Sequence, residues 1–192
     1  MTKETAKERI LRVASELFYS EGIRAVGIDR IIAESGVAKS SFYRNFATKD
    51  DLVIAFLELR HSRNLARIDE IKSLYPNEPI KQLNELIKRL SEVILKQDFR
   101  GCAYTNTLLE FPDAIHLNHQ AALKCRKHHE GLIAQIARDS GVKNPESLAS
   151  QIEMLYSGAY VETRIHKPEV GSENFLNAAM TLIQAHLSNS LK

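Results

Sequence analysis

The sequence has no tryptophan, two cysteines, eight glycines and five prolines among 192 residues, and each scarcity excludes something. Cys102 and Cys125 cannot build a disulfide framework for a chain of this size and form no CxxC pair, so a reducing cytosol is the simplest setting. With so little glycine and proline, a collagen-like or low-complexity chain is ruled out. Nowhere do about 18 apolar residues run together, the length a membrane helix needs. The opening MTKETAKERI is charged where a signal peptide needs an apolar stretch. The expectation is a cytoplasmic protein with no membrane partner. Strong charge bias is missing too: the net charge is +2, with +3 on residues 1–67 and −1 on the remainder. Between Lys39 and Lys49, however, Lys39, Arg44 and Lys49 occur without a single acid, which suits a surface facing a polyanion.

What is present is 44% apolar and 26% charged residue, mixed as Leu, Ile, Ala, Glu, Lys and Arg over long stretches. That pattern predicts an all-α chain of about nine helices. Ile10, Val13, Ala14, Leu17 and Phe18 make the stripe of a first helix ending at Gly22. A short second helix carries Ile28, Ile31 and Ile32 on one face and stops at Ser35-Gly36, where glycine takes the left-handed backbone of a tight turn. A third short helix begins near Lys39 and holds Phe42 and Phe46 at i, i+4. Thr48 caps a long fourth helix, with Asp50 and Asp51 in its first turn, that runs until Tyr75-Pro76-Asn77-Glu78-Pro79 breaks it. Pro79 opens a fifth helix with Leu83, Leu86, Ile87, Leu90 and Ile94 inward. Beyond it the expectation is a short helix around Tyr104 to Phe111, a longer one from about Asp113 to Gly141, one starting at Asn144-Pro145 that Pro168 and Gly171 close, and a last from Ser172 to a polar tail at 189–192.

Three short amphipathic helices with a glycine turn between the second and third form a helix-turn-helix candidate at about 27–46. The reading helix of such a motif buries one side on its own domain and keeps the other free of apolar and acidic groups, because DNA offers phosphates and base-edge donors and acceptors. Here Phe42 and Phe46 are core anchors, the ordinary role of aromatics at helical spacing. Lys39, Ser40, Ser41, Tyr43, Arg44 and Asn45 are left toward a groove. The hydroxyls and the amide can bond base edges or phosphates, Arg44 can fork onto guanine or phosphate, and Tyr43 can bring its hydroxyl to a phosphate. Thr48 and Lys49 suit the flanking backbone at the start of the fourth helix.

Residues 9–57, RILRVASELFYSEGIRAVGIDRIIAESGVAKSSFYRNFATKDDLVIAFL, closely resemble the N-terminal pattern of the TetR family of bacterial transcriptional regulators: Phe18 four residues before Gly22, then Ile32-Ala33 and Gly36-Val37, then Phe42-Tyr43-Arg44 with Phe46, then Lys49-Asp50 with Leu52. The resemblance implies an all-α homodimer. It implies an N-terminal helix-turn-helix domain at 1–64, followed over 65–192 by a helical-bundle domain for ligand binding and dimerisation. It supports Lys39, Ser41, Tyr43, Arg44 and Lys49 as DNA contacts. Gly27 and Ala38 depart from it, standing where the family usually has Ser or Thr, so a capping hydroxyl is missing at each. Ser40 replaces a common Gly, and Asn45 a common aromatic or His. RGCAYTNTLLEF at 100–111 is similar to a segment in one branch of the family that leads into the ligand-binding core, and the last two helices resemble the pair that forms a four-helix dimer interface.

Within the second domain Tyr104, Asn106, Phe111, His116 and His119 are candidates for effector contact, because polar groups interspersed with apolar ones suit a pocket between helices; a capped core is the plainer account of each. His116, His119, Cys125, His128 and His129 share one expected helix, but ligands two turns apart on a single helix converge poorly on a metal, so no metal or cofactor is expected. Cys102 beside Arg100 is read as an inert small group before a redox thiol. The function these readings favour is a non-enzymatic, DNA-binding repressor that leaves a near-palindromic operator when a small molecule binds. Two other readings stand beside it: a DNA-binding regulator with no small-molecule pocket, and an all-α metal-dependent enzyme built on the stretch from His116 to His129. The second lacks H-E-x-x-H, a phosphate loop and any nucleophile motif.

Overall fold

A computed structural model describes residues 4–188, so the polar tail expected at 189–192 lies outside the described residues. Among the described residues there are nine helices and no strand: α1 (Ala6–Glu21), α2 (Ile28–Ser35), α3 (Lys39–Asn45), α4 (Lys49–Leu74), α5 (Pro79–Ile94), α6 (Ala103–Glu110), α7 (Leu117–Asp139), α8 (Pro145–Ile165) and α9 (Pro168–Ser188). The all-α fold stands. None of these helices is long and apolar enough to cross a membrane.

Local chemistry sets the boundaries. Thr5 caps α1 in a reciprocal box: its hydroxyl accepts the Glu8 amide at 3.2 Å, while the Glu8 carboxylate accepts the Thr5 amide at 2.8 Å. The same device starts α4, where the Thr48 hydroxyl accepts the Asp51 amide at 3.0 Å and Asp51 accepts the Thr48 amide at 2.9 Å. Gly36 ends α2 at φ 62°, the left-handed turn its position predicted. Two boundaries differ from expectation. Helix α7 begins at Leu117 rather than near Asp113, because residues 112–116 form a turn in which Asp113 accepts the amides of Ile115 and His116. Helix α9 begins at Pro168 rather than Ser172: proline ends one helix and occupies the first position of the next, where its missing N–H costs nothing. Ser172 is then no cap, and its buried hydroxyl donates to the Ser91 carbonyl at 2.8 Å.

The described chain divides into two compact units. The first holds the residues up to His61 together with Ala103–Cys125, and the second holds Ser62–Cys102 and the residues from Arg126 onward. Compactness therefore does not follow the single cut expected after residue 64, which was a division by function. In the first unit the core is the predicted stripe of α1 with Ile31, Phe42, Phe46, Leu52, Val53, Phe56 and Leu57, and Phe18 meets Phe56 edge-on at 5.8 Å. Of the three isoleucines on α2 only Ile31 is fully buried; Ile28 and Ile32 are half-buried. In the second unit Leu83, Leu86, Ile87, Leu90 and Ile94 of α5 join Ile152 and Ala159 of α8 and Phe175, Ala179 and Ile183 of α9.

Phe42 has no exposed surface and sits on a helix too short to persist by itself. Phe42→Ala is expected to destabilise the first unit by about 3–5 kcal/mol, measured as a lower midpoint in urea unfolding followed by circular dichroism.

Candidate nucleic-acid interface

The third helix spans seven residues with no side-chain cap at Ala38, which matches the missing hydroxyl read from the sequence. What fixes it is burial. Phe42 is 0% and Phe46 4% exposed, their rings 6.3 Å apart, whereas Tyr43 is 45% exposed and meets only the edge of Phe42. One residue along a helix turns the side chain by about 100°, so a buried Phe42 sends Tyr43 outward. Lys39, Ser40 and Arg44 are exposed with Tyr43, and Ser41 and Asn45 are half-buried beside them. The expected face of hydroxyls, phenol and cations thus lies on the surface of the first unit.

Three positions carry surprises. Lys39, in a stretch free of acids, is nonetheless paired: its ammonium lies 3.1 Å from Asp29 of α2, and that carboxylate holds the lysine above its usual range. Asn45 turns its amide back onto its own helix, donating one N–H to the Ser41 carbonyl at 2.8 Å, so its second N–H and its carbonyl oxygen are left for a partner. Lys49 is half-buried with its ammonium 6.0 Å from the Phe18 ring centroid. Desolvation pushes it below the ordinary lysine value, opposed by the carboxylates of Glu110 and Asp50. Thr48 is exposed, but its hydroxyl is occupied in the capping box of α4. Arg44 has no ion-pair partner among the described residues. Behind this face Arg30 joins Glu21 at 2.5 Å and Glu34 at 2.7 Å, tying α2 to the end of α1.

The five effector-contact candidates all fall in the first unit. Tyr104 and Phe111 are buried and Asn106 is half-buried. His116 lies against the Phe111 ring with centroids 4.6 Å apart, and His119 Nδ1 sits 2.8 Å from the Phe111 carbonyl. The histidine-rich stretch is divided. His129 belongs to the second unit, where its Nδ1 meets the buried Glu153 carboxylate at 2.6 Å and Arg126 approaches the other oxygen at 3.4 Å. Among the described residues no three His, Cys, Asp or Glu side chains are grouped to hold a metal ion. Sequence reasoning missed Asp29 and Glu110, whose partners lie elsewhere in the chain, and it missed the Glu153 cluster for the same reason.

On α8, Met154, Gly158, Val161 and Ile165 are exposed at i, i+4, i+7 and i+11, an apolar stripe on one side of the helix. Beside it an open groove of about 300 Å³ is lined by Met154, Gly158, Glu162, Phe175 and Ala178.

A family profile described as bacterial regulatory proteins, tetR family, matches residues 10–56. The crystal structure of SCO4454, a TetR-family transcriptional regulator from Streptomyces coelicolor, is similar with 31% identity over 95% of this chain and 96% of that one, at a TM-score of 0.87. The transcriptional regulator AcrR of Shigella flexneri is 29% identical over 103 residues, 52% of this chain and 47% of its own length. The transcriptional activator FasR of Mycolicibacterium smegmatis is 35% identical over 65 residues, 34% of this chain and 29% of its own. This chain thus spans half or less of the length of those two curated relatives.

Because Tyr43 and Arg44 are exposed on a helix anchored by other residues, Tyr43→Ala and Arg44→Ala are each expected to weaken sequence-specific DNA binding by about 1–3 kcal/mol. The thermal midpoint should stay at the wild-type value. Gel-shift titration beside thermal melting checks this, and a Tyr43→Ala protein that melts as readily as Phe42→Ala would reverse the assignment of faces.

Proposed function

Since the chain belongs to the TetR family and is a DNA-binding regulator of transcription, we propose that it is a cytoplasmic, homodimeric repressor whose α3 helices read a near-palindromic operator and whose remaining helices answer to a small molecule. Residues 1–64 form the DNA-binding part and 65–192 the effector and dimerisation part. The observation that carries the reading is the exposed face of α3, on which Lys39, Ser40, Tyr43 and Arg44 are exposed within an acid-free stretch while Phe42 is wholly buried.

A dimer has a physical basis in the stripe on α8. Three large apolar side chains at 55–67% exposure are costly in water, and a second copy presenting the same stripe would cover them in a four-helix arrangement with α9. A dimer on such an operator must present its two α3 helices to successive major grooves about 34–36 Å apart. An effector that favours another separation weakens operator binding, and by linkage the operator weakens effector binding equally. Tyr104, Asn106, Phe111, His116 and His119 remain the proposed effector contacts. The contacts of Phe111 with His116 and His119 support a role for the region, and no cofactor enters the scheme.

Two experiments test these statements. Footprinting on DNA selected with the protein should reveal a protected palindrome whose affinity falls steeply with salt, since phosphate contacts release counterions; an asymmetric footprint or salt-indifferent binding would sink the dimeric reading. Deleting the gene should raise expression from the footprinted promoter, whereas a fall would make the protein an activator, as FasR is named. For the interface, Met154→Glu together with Val161→Glu is expected to give a monomer by sedimentation, with operator affinity lost and helicity kept.

A further inference from the structure

The last residue of α6 holds the turn that follows α1. The Glu110 carboxylate accepts the Ile23 amide on one oxygen at 3.0 Å and the Arg24 amide on the other at 2.7 Å, across 87 and 86 residues of sequence. These amides belong to the turn after Gly22, which has φ 93° and leaves so little room that an added Cβ would come within 3.3 Å of the same carboxylate. Arg24 grips the end of α6 a second time, with its guanidinium 5.0 Å from the Phe111 ring centroid. A parallel tie runs from Asn118, fully buried on α7, which donates to Asp50 in the first turn of α4 at 2.7 Å.

Two rules argue against an acid at this position. A carboxylate at the C-terminal end of a helix meets the negative end of its dipole, so Glu110 is unfavourable for α6 itself. It also adds negative charge to a unit that must approach a polyanion. A residue that breaks local rules marks a constraint elsewhere, and here the constraint is the turn that sets where α2 and α3 leave α1.

We propose that Glu110 is a positioning residue for DNA reading, its two-oxygen contact fixing the α1–α2 turn and thereby the placement of α3. The inference rests on the reading of α3 as the DNA-facing helix. Since α3 has no side-chain cap and only seven residues, its orientation is inherited from the elements it packs on, and displacements of about 0.5 Å suffice to spoil a recognition geometry.

The test uses the full-length wild-type, Glu110→Gln and Glu110→Asp proteins, a duplex selected from random DNA by the wild-type protein, and an unselected duplex of equal length. Glu110→Gln turns one acceptor into a donor facing an amide, and Glu110→Asp keeps the charge but withdraws the carboxylate by one methylene. Both are expected to bind the selected duplex about tenfold more weakly while unselected DNA is bound as before. Electrostatics alone predicts the opposite for Glu110→Gln, tighter binding to both duplexes through the lost negative charge. Wild-type or tighter affinity of Glu110→Gln for the selected duplex overturns the proposal. If Glu110→Gln loses its far-UV helicity, Glu110→Asp decides in its place, and loss of helicity in both makes Glu110 a determinant of the fold and overturns it too. Failure of the wild-type protein to select any duplex defeats the reading of α3 itself, a distinguishable result.

Discussion

The structure's reading surface depends on the burial of one phenylalanine. Helix α3 is two turns long, and helices of that length are unstable alone in water, so it exists because Phe42 is inserted completely into the core of the first unit. That insertion fixes the helix's rotation, and the rotation decides that Tyr43 and Arg44 face solvent. Around this anchor the neighbouring elements are stabilised by other means: a capping box starts α1, another starts α4, and Gly36 provides the turn that brings α3 back against α2. The exposed face is therefore a consequence of packing, with the side chains proposed to meet DNA contributing little to holding it in place.

Charge at this surface is more committed than a count of lysines and arginines suggests. Asp29 shares Lys39, Glu21 and Glu34 share Arg30, and Lys49 is drawn toward Phe18 at a cost in hydration. Arg44 is the expected contact that carries an exposed cation with no ion pair among the described residues. Cations shared with carboxylates on their own surface give less to a phosphate than unpaired ones do. In the proposed dimer, hydroxyl and phenol contacts made by two copies on one duplex add to those of the cations, so the orientation of α3 matters beside its charge.

Much of this was legible in the sequence because it is local. The stripe of α1, the glycine stop of α2, the aromatic spacing of α3 and the Thr48 cap each involve residues within one or two turns, and each appears where periodicity put it. Pro168 shows the limit: a proline reads equally as a stop and as a start, and it is both. The surroundings of Lys49 and Asn45, Phe18 and Glu110 for one and the Ser41 carbonyl for the other, were not legible, because they depend on side-chain direction. Glu110 itself was invisible, since nothing at 110 announces that its partners are the amides at 23 and 24. For the same reason the division into compact units could not be read from a composition shift: α6 and the first part of α7 join the N-terminal helices across some forty intervening residues.

The second unit repeats the logic of the first with different chemistry. On α8, Glu153 is 3% exposed and held by His129 and Arg126, while the next residue, Met154, is 67% exposed. A buried carboxylate is expensive to desolvate, and its pairing seldom adds net stability; its value is that it tolerates only one register of the two helices it joins. Fixing Glu153 inward therefore fixes the rotation of α8 and aims Met154, Gly158, Val161 and Ile165 outward as one stripe, just as Phe42 aims Tyr43. The proposed function calls for two surfaces, one for DNA and one for a second copy. In each, an immobile buried residue beside an exposed one sets the direction, so the precision of the functional face is inherited from a neighbour that never touches the partner.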